Sequence, residues 1–463
     1  TPYPAPVPNP VIPMSQILFG LFGLAVLIGI AWLFSSNRRA VDWRLVGTGL
    51  ALQIAFALFV LVTPWGETVF SWISAGFVAL LGFTGAGASL IFGDMGTPQK
   101  FGFIFAFQVL PTIIFFAAFM SVLYHLGVMQ AVVKGMAWVI MKVMRVSGAE
   151  TLSVCANAFI GQTEAPLVVK PYVAGMTKSE LFCLMVGGMA TIAGGVMAAY
   201  VQMLGGADPE SQRQFAKHLL TASIMAAPAA LLVAKVMAPE TETPQTAGSV
   251  TVPVEKTAAN VIDAAAAGAS DGLMLALNVG AMLLAFTALI ALLNGVIGGI
   301  ADVTGLTAWM NPGADPRCLA DGAFAADAAN GCAVQRLSLS MILGWIMAPL
   351  AWVIGVPWSE ATTVGSLIGS KIVLNEFIAY GQLSDILAGN VAGVTLSATS
   401  VLIATYALCG FANFSSIAIQ LGGIGSIAPQ RRGDLARFGL KAVLGGSLAT
   451  MMTATIAGVI SQL

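Results

Sequence analysis

Apolar residues fill this chain in runs of about 20, the length a helix needs to cross a hydrocarbon core of roughly 30 Å, and the runs recur along its whole length. Apolar positions inside them repeat with a helical period rather than alternating, so the pattern predicts helices and excludes a membrane barrel. Eight spans are predicted: Ser15 to Phe34, Leu45 to Thr63, Gly102 to Leu126, Leu181 to Leu204, His218 to Ala238, Gly272 to Ile300, Leu396 to Ile419 and Leu440 to Ile460. Two further stretches, Phe70 to Phe92 and Leu339 to Val356, contain helix interrupters: Gly82, Gly85 and Gly87 in one, Gly344, Pro349 and Gly355 in the other. Each could span, lie in the interface or join a re-entrant hairpin.

Polar positions inside the apolar background gather in two islands, one in each half. The first is Gly161-Gln162-Thr163-Glu164-Ala165-Pro166; the second runs from Lys371 to Tyr380 around Asn375-Glu376. A carboxylate at mid-membrane depth costs roughly 2.5 to 3.5 kcal/mol on the insertion scale, so two of them beside amides and hydroxyls point to function. Gly161 and Pro166 flank the first island, and Gly365, Gly369 and Gly381 punctuate the second. Each island is expected to enter the membrane and turn back, its tip buried in protein near the midplane.

A helix interrupted at its middle follows each island: Met189-Ala190-Thr191-Ile192-Ala193-Gly194-Gly195-Val196 in the first half, Cys409-Gly410-Phe411-Ala412-Asn413-Phe414-Ser415-Ser416 in the second. Broken helices in corresponding places of two halves are the mark of a mid-membrane solute site, where freed carbonyls bind a cation and half-helix N-termini offer donors.

Composition agrees with this pattern and narrows the class. Charged residues are 9% and hydrophobic residues 58% of the 463, with a mean hydropathy of +0.89, which describes an integral membrane protein. The net charge of −1 is carried by scattered residues, so nucleic acid is not a partner; the lipid bilayer is. Basic residues set the orientation, because short cytoplasmic loops are rich in Lys and Arg. With Phe70 to Phe92 and Leu339 to Val356 not crossing, eight spans and both termini outside put Arg38, Arg39 and Arg44, then Lys134, Lys142 and Arg145, then Arg431, Arg432, Arg437 and Lys441 in the cytoplasm.

Simpler roles exist for each polar residue. Glu164 and Glu376 could pair with Lys170 and Lys371, and Asn157 or Thr191 could bond between helices, worth about 0.6 kcal/mol on average. Val196 and Phe411 suit core packing, and His125 and His218, near the ends of predicted helices, suit satisfied interfacial histidines. Cys155, Cys183 and Cys409 suit the core, whereas Cys318 and Cys332 share one outward loop, where a disulfide and two free thiols both fit. An enzyme is not expected, since neither a His-Glu-x-x-His pattern nor a Gly-x-Ser-x-Gly elbow occurs. A channel would spread its polarity along a path instead of into islands.

Three ordered motifs carry a resemblance. The runs Asn157 to Val168, Asn375 to Tyr380 and Tyr406 to Ile417 closely resemble the signature segments of concentrative nucleoside transporters, and the likeness extends from the first span to the C-terminus. It implies an all-α polytopic membrane protein of the bacterial inner membrane, with eight transmembrane helices, two re-entrant helical hairpins, interfacial helices and internal repeats with broken helices. It also implies a homotrimer and cation-coupled uptake of nucleosides such as uridine, with sodium co-transported and no organic cofactor; a proton-coupled symporter is the alternative, and a carrier for another small polar neutral solute a further one.

By this resemblance Gln162, Thr163 and Glu164 read the nucleobase and Val196 packs on it. Glu376, Asn413 and Ser416 take the ribose, and Phe411 lines the pocket. Sodium maps onto the side chains of Asn157 and Thr191 and the carbonyls of Ile160 and Ile192; threonine at 191 replaces a related serine and keeps the oxygen. The implied organisation is an extended tail over 1–14, scaffold helices over 15–126, a first transport half over 127–238, a flexible cytoplasmic linker over 239–270, a long scaffold and trimerisation helix over 271–304, an extracytoplasmic loop over 305–338 and a second transport half over 339–463.

Overall fold

The computed structural model describes residues 14–96, 104–248, 258–312, 336–391 and 393–462; the N-terminal tail as far as residue 13, part of the linker, and Cys318 and Cys332 lie outside the described residues. Every regular element among the described residues is helical. The first half comprises α1 (Met14–Leu33), α2 (Trp43–Val62), α3 (Pro64–Phe92), α4 (Phe105–His125), α5 (Val128–Met144), α6 (Gly148–Ile160), α7 (Lys178–Ala190), α8 (Gly194–Gly205) and α9 (Pro209–Met237). The second comprises α10 (Val261–Val303), α11 (Leu339–Val353), α12 (Trp358–Val373), α13 (Glu376–Leu387), α14 (Ala398–Leu408), α15 (Phe414–Ile427) and α16 (Arg432–Ile460).

Eight apolar elements among the described residues are long enough to cross a membrane, α7 and α8 counting together as one. Their burial sorts them. The α7–α8 pair, α9 and α16 have 89%, 94% and 89% of their apolar windows buried and form the protein's centre, whereas α10 has 11% and is apolar around its circumference. A helix apolar on all sides yet uncovered must face lipid or another subunit.

Two helical hairpins enter this core. At the first, α6 begins with a capping box made by Ser147 and Glu150, runs to Ile160, turns at 161–164 and returns through short helices at Ala165–Val169 and Lys170–Val173. Its two ends meet at the base, where Ser147 Oγ donates to Glu180 Oε1 at 2.5 Å. A buried ion pair, Lys235 Nζ to Glu150 Oε2 at 2.9 Å, joins this base to α9. At the second hairpin, α12 reaches its tip at Leu374-Asn375 and α13 returns, since Ser397 beyond it donates from N and Oγ to Glu360 in the first turn of α12 at 3.1 and 3.0 Å.

Several expectations need correction. Gly82, Gly85 and Gly87 do not interrupt α3, because the backbone stays helical and leaves open space at all three. The predicted span Leu396 to Ile419 is the expected interrupted helix, with α14 and α15 on either side of the break, whereas α3, expected not to cross, meets the length and hydropathy of a span. Residues 239–248 do not behave as a free linker: Thr246 is buried and bonds Gly148 N and Ala149 N at the base of the first hairpin, each at 3.0 Å. Asn260 then caps α10, so 261–270 is helix. Gly365 and Gly369 serve packing rather than the turn, since a Cβ there would lie 2.8 Å from Ala348 N and 2.6 Å from Leu343 Cβ on α11. His218 is buried well inside α9, whose true start is the Asp208 cap, and lies 3.4 Å from the Tyr406 hydroxyl.

Candidate functional site

Both hairpin tips and both helix breaks converge in the centre. The break between α7 and α8 spans Thr191, Ile192 and Ala193, and the break between α14 and α15 spans Cys409 to Asn413. They touch directly: Phe411 N donates to Thr191 O at 3.3 Å, and a Cβ on Gly410 would sit 2.8 Å from Met189 O. Unwinding exposes backbone groups that must find partners, and each break supplies part of the other's.

The residues assigned to sodium come together on the first-half side. Asn157 Nδ2 donates to Gly187 O at 2.9 Å and to Thr191 Oγ1. Its carbonyl oxygen Oδ1 is buried with no hydrogen-bond partner. Neither the Ile160 nor the Ile192 carbonyl accepts a backbone hydrogen bond among the described residues. An orphaned buried amide oxygen and unpaired carbonyls are oxygen ligands of the kind a hard cation prefers.

At the first hairpin tip, Gly161 has φ +106, a left-handed value that favours glycine, and a Cβ there would lie 2.9 Å from Glu164 Oε2 and 3.2 Å from Ala193 Cβ. The carboxylate of Glu164 therefore folds over the tip beside the first break, and it remains exposed. Gln162 reaches across to the second half, its Nε2 donating to Ser416 Oγ at 3.1 Å, while Gln420 Nε2 donates to Gln162 Oε1 at 3.1 Å. Thr163 packs on Gly423 of α15, and Val196 is buried in the first turn of α8.

The second carboxylate is held differently. Glu376 opens α13, whose cap Asn375 accepts from Ile378 N at 2.9 Å, so its charge lies at the positive end of that helix. Tyr200 OH donates to Oε1 and Asn413 Nδ2 to Oε2, both at 2.9 Å. Asn413 cannot be reversed, because its Oδ1 caps α15 by accepting from Ser416 N at 2.9 Å and from Ser415 Oγ at 2.7 Å. Ser416 thus links the two clusters, bonding Gln162 through its hydroxyl and Asn413 through its amide. Phe411 lies partly buried between the breaks.

Neither carboxylate forms an ion pair with Lys170 or Lys371 among the described residues. Lys371 is buried and donates instead to Ala407 O at 2.8 Å, next to the end of α14, and to Thr450 Oγ1 at 3.0 Å. It thereby ties the second break to α16. Sequence reasoning missed Tyr200, Gln420 and Lys371 as site residues. A signal existed for two of them: Tyr200 lies one helical turn after Val196, and Gln420 one turn after Ser416, so each polar group shares a face with an assigned residue.

The chain is similar over most of its length to known proteins. Residues 218–458 match the profile described as "Na+ dependent nucleoside transporter C-terminus", residues 22–95 its N-terminal counterpart, and residues 106–207 a "nucleoside recognition" profile. An uncharacterised transporter of Bacillus subtilis, YutK, is 44% identical over 96% of this chain and 99% of its own length. Nucleoside permease NupC of Helicobacter pylori is 39% identical over 95% of this chain and 97% of its own. The solved structure of CNTnw in an inward-facing substrate-bound state is similar at a TM-score of 0.83 and 43% identity, covering 96% of this chain and 98% of that one, and an outward-facing form of it at 0.85.

Proposed function

Because the chain belongs to the Na+ dependent nucleoside transporter family, a family of transporters and not of enzymes, we propose that it carries nucleosides such as uridine into the cell together with sodium by alternating access. The first hairpin reads the base through Gln162, Thr163 and Glu164, with Val196 packed on it; the second takes the ribose through Glu376, with Asn413, Ser416 and Phe411. The observation that carries this reading is the buried carboxylate of Glu376, held by Tyr200 and Asn413 at the junction of the broken helices and joined through Ser416 to Gln162.

The chemistry fits a neutral, polar solute. A base edge presents donors and acceptors that an amide and a hydroxyl can match, and ribose hydroxyls donate well to a carboxylate. Sodium rather than a proton is favoured by the unpartnered Asn157 Oδ1, which offers a lone pair where protonation has no role. Sodium binding would draw the first hairpin onto the α7–α8 break and so complete the base site, which couples the two solutes.

The assembly we infer is a homotrimer in a bacterial inner membrane with both termini on the outer side. The exposed apolar circumference of α10 supports the trimer contact. Trp65 and Trp72 stand exposed in the first turns of α3, a placement suited to the membrane interface. The test is counterflow in proteoliposomes. Unlabelled uridine trapped inside should drive transient accumulation of labelled uridine, and a sodium gradient should drive net uptake that a proton gradient cannot replace. Failure of exchange would refute a carrier, and proton-driven uptake without sodium would refute the coupling.

A further inference from the structure

A glutamine side chain carries donors on Nε2 and an acceptor on Oε1, and exchanging them reverses which base edge it can meet. The assignment at Gln162 is fixed by a backbone carbonyl, which can only accept. Gln420 Nε2 donates to Met185 O at 3.1 Å, so turning the Gln420 amide round would set its oxygen against that carbonyl. The same Nε2 donates to Gln162 Oε1 at 3.1 Å. One lone pair of the Gln162 oxygen is therefore taken and its orientation fixed, and its Nε2 lies on the side of Ser416 Oγ, 3.1 Å away. Gln420 is fully buried, and Gly188 makes room for it, since a Cβ there would lie 2.5 Å from Gln420 Nε2. Nothing about ion binding or the ribose cluster requires a second buried amide at this point.

We propose that Gln420 is a positioning residue that sets the base preference, holding Gln162 so that its oxygen is turned toward Gln420 and an N–H toward the base. The inference rests on the reading of Gln162 as the residue that meets the base. Of the two hydrogens on Gln162 Nε2, one is used by Ser416 and one remains for the substrate. Uridine and cytidine differ along one edge, a carbonyl beside a ring N–H in the first and an amino group beside a bare ring nitrogen in the second; inosine and adenosine differ in the same way, and the exocyclic group is the one this donor is taken to meet. A donor held in place favours the carbonyl member of each pair. Set against an amino group it would leave two donors face to face in a buried site, a mismatch that lowers affinity by about tenfold or more.

The test is competition of labelled uridine uptake by uridine, cytidine, inosine and adenosine in proteoliposomes at saturating sodium. The parent should prefer uridine to cytidine and inosine to adenosine by about tenfold. Gln420→Met keeps the length and removes the anchor, so Gln162 can turn and the preference should shrink to about twofold, whereas a purely structural role would weaken all four nucleosides alike. Gln420→Asn, whose amide is too short to reach Gln162, should do the same if the methionine variant does not fold. Gln162→Glu separates this inference from the one beneath it, because a carboxylate only accepts and should reverse the preference. An unchanged base profile in Gln162→Glu refutes the base reading itself. A changed profile there with the parent's profile in Gln420→Met, or a parent that takes both members of each pair equally, overturns the role of Gln420 alone.

Discussion

Replacing Glu376 by glutamine should weaken uridine binding by about 10- to 100-fold and move uracil binding by only a few-fold. A carboxylate offers about four lone-pair sites. Tyr200 OH and Asn413 Nδ2 fill two of them, both at 2.9 Å, and no other side chain among the described residues donates to the group. The Glu376 backbone N–H also bonds the group, which leaves about one site, suited to a ribose hydroxyl. A hydrogen bond to a charged acceptor contributes about 1.5 to 3 kcal/mol, and each 1.4 kcal/mol is a factor of about ten in affinity. The surroundings tolerate the amide. Its oxygen would take the donor of Asn413, which is locked by its capping bonds, and its NH2 group would face Tyr200, whose hydroxyl can rotate to accept. The loss therefore falls on the ribose, not on the fold. Isothermal titration of purified protein at saturating sodium with uridine, its 2′- and 3′-deoxy analogues and uracil would measure it. A folded variant that binds uridine as the parent does and rejects uracil equally well would refute the ribose assignment.

Tyr200→Phe removes one of the two protein donors to the same carboxylate and should lower stability by about 1 to 3 kcal/mol, read by thermal unfolding, with a smaller loss of uridine selectivity than the glutamine change. Asn157→Ala removes the unpartnered oxygen and should raise the sodium concentration needed for half-maximal uridine binding; by linkage, uridine should bind more weakly at limiting sodium, and titration across a sodium series checks both. Thr450→Val keeps the shape of a buried side chain but removes one of the two acceptors of the Lys371 ammonium, so it should destabilise by about 1 to 3 kcal/mol in a denaturation series. Since both hairpins and both breaks come from one chain, in the proposed trimer mixed assemblies of active and inactive protomers should transport in proportion to the active copies; a steep loss from one inactive copy would count against independent protomers.

Much of this molecule is written in local sequence. Long apolar runs with few charges have only one solvent in which they are stable, so the membrane class and the helical fold follow directly. The polar islands at 161–166 and 371–380 are just as legible, because a carboxylate in such surroundings is too costly to be incidental. The breaks at 191–193 and 409–413 carry a weaker signal in the small and polar residues in and beside them, among them Gly194, Gly195 and Gly410, which lower helix propensity without forbidding a helix.

Tertiary structure decided which groups pair, because pairing depends on distance through space and not on spacing along the chain. Lys371 lies five residues from Glu376 yet bonds a carbonyl near the end of α14 and a hydroxyl of α16, while the partners of Glu376 come from α8 and from the second break. The glycines of α12 announce a turn in the sequence but serve close contact with α11, a role that only the neighbouring helix reveals. Residues 239–248 read as a linker because they lack large apolar side chains, yet their backbone and hydroxyl groups close the base of the first hairpin. Composition limits how much apolar surface a segment can bury; it does not limit the hydrogen bonds the segment can supply to buried groups elsewhere.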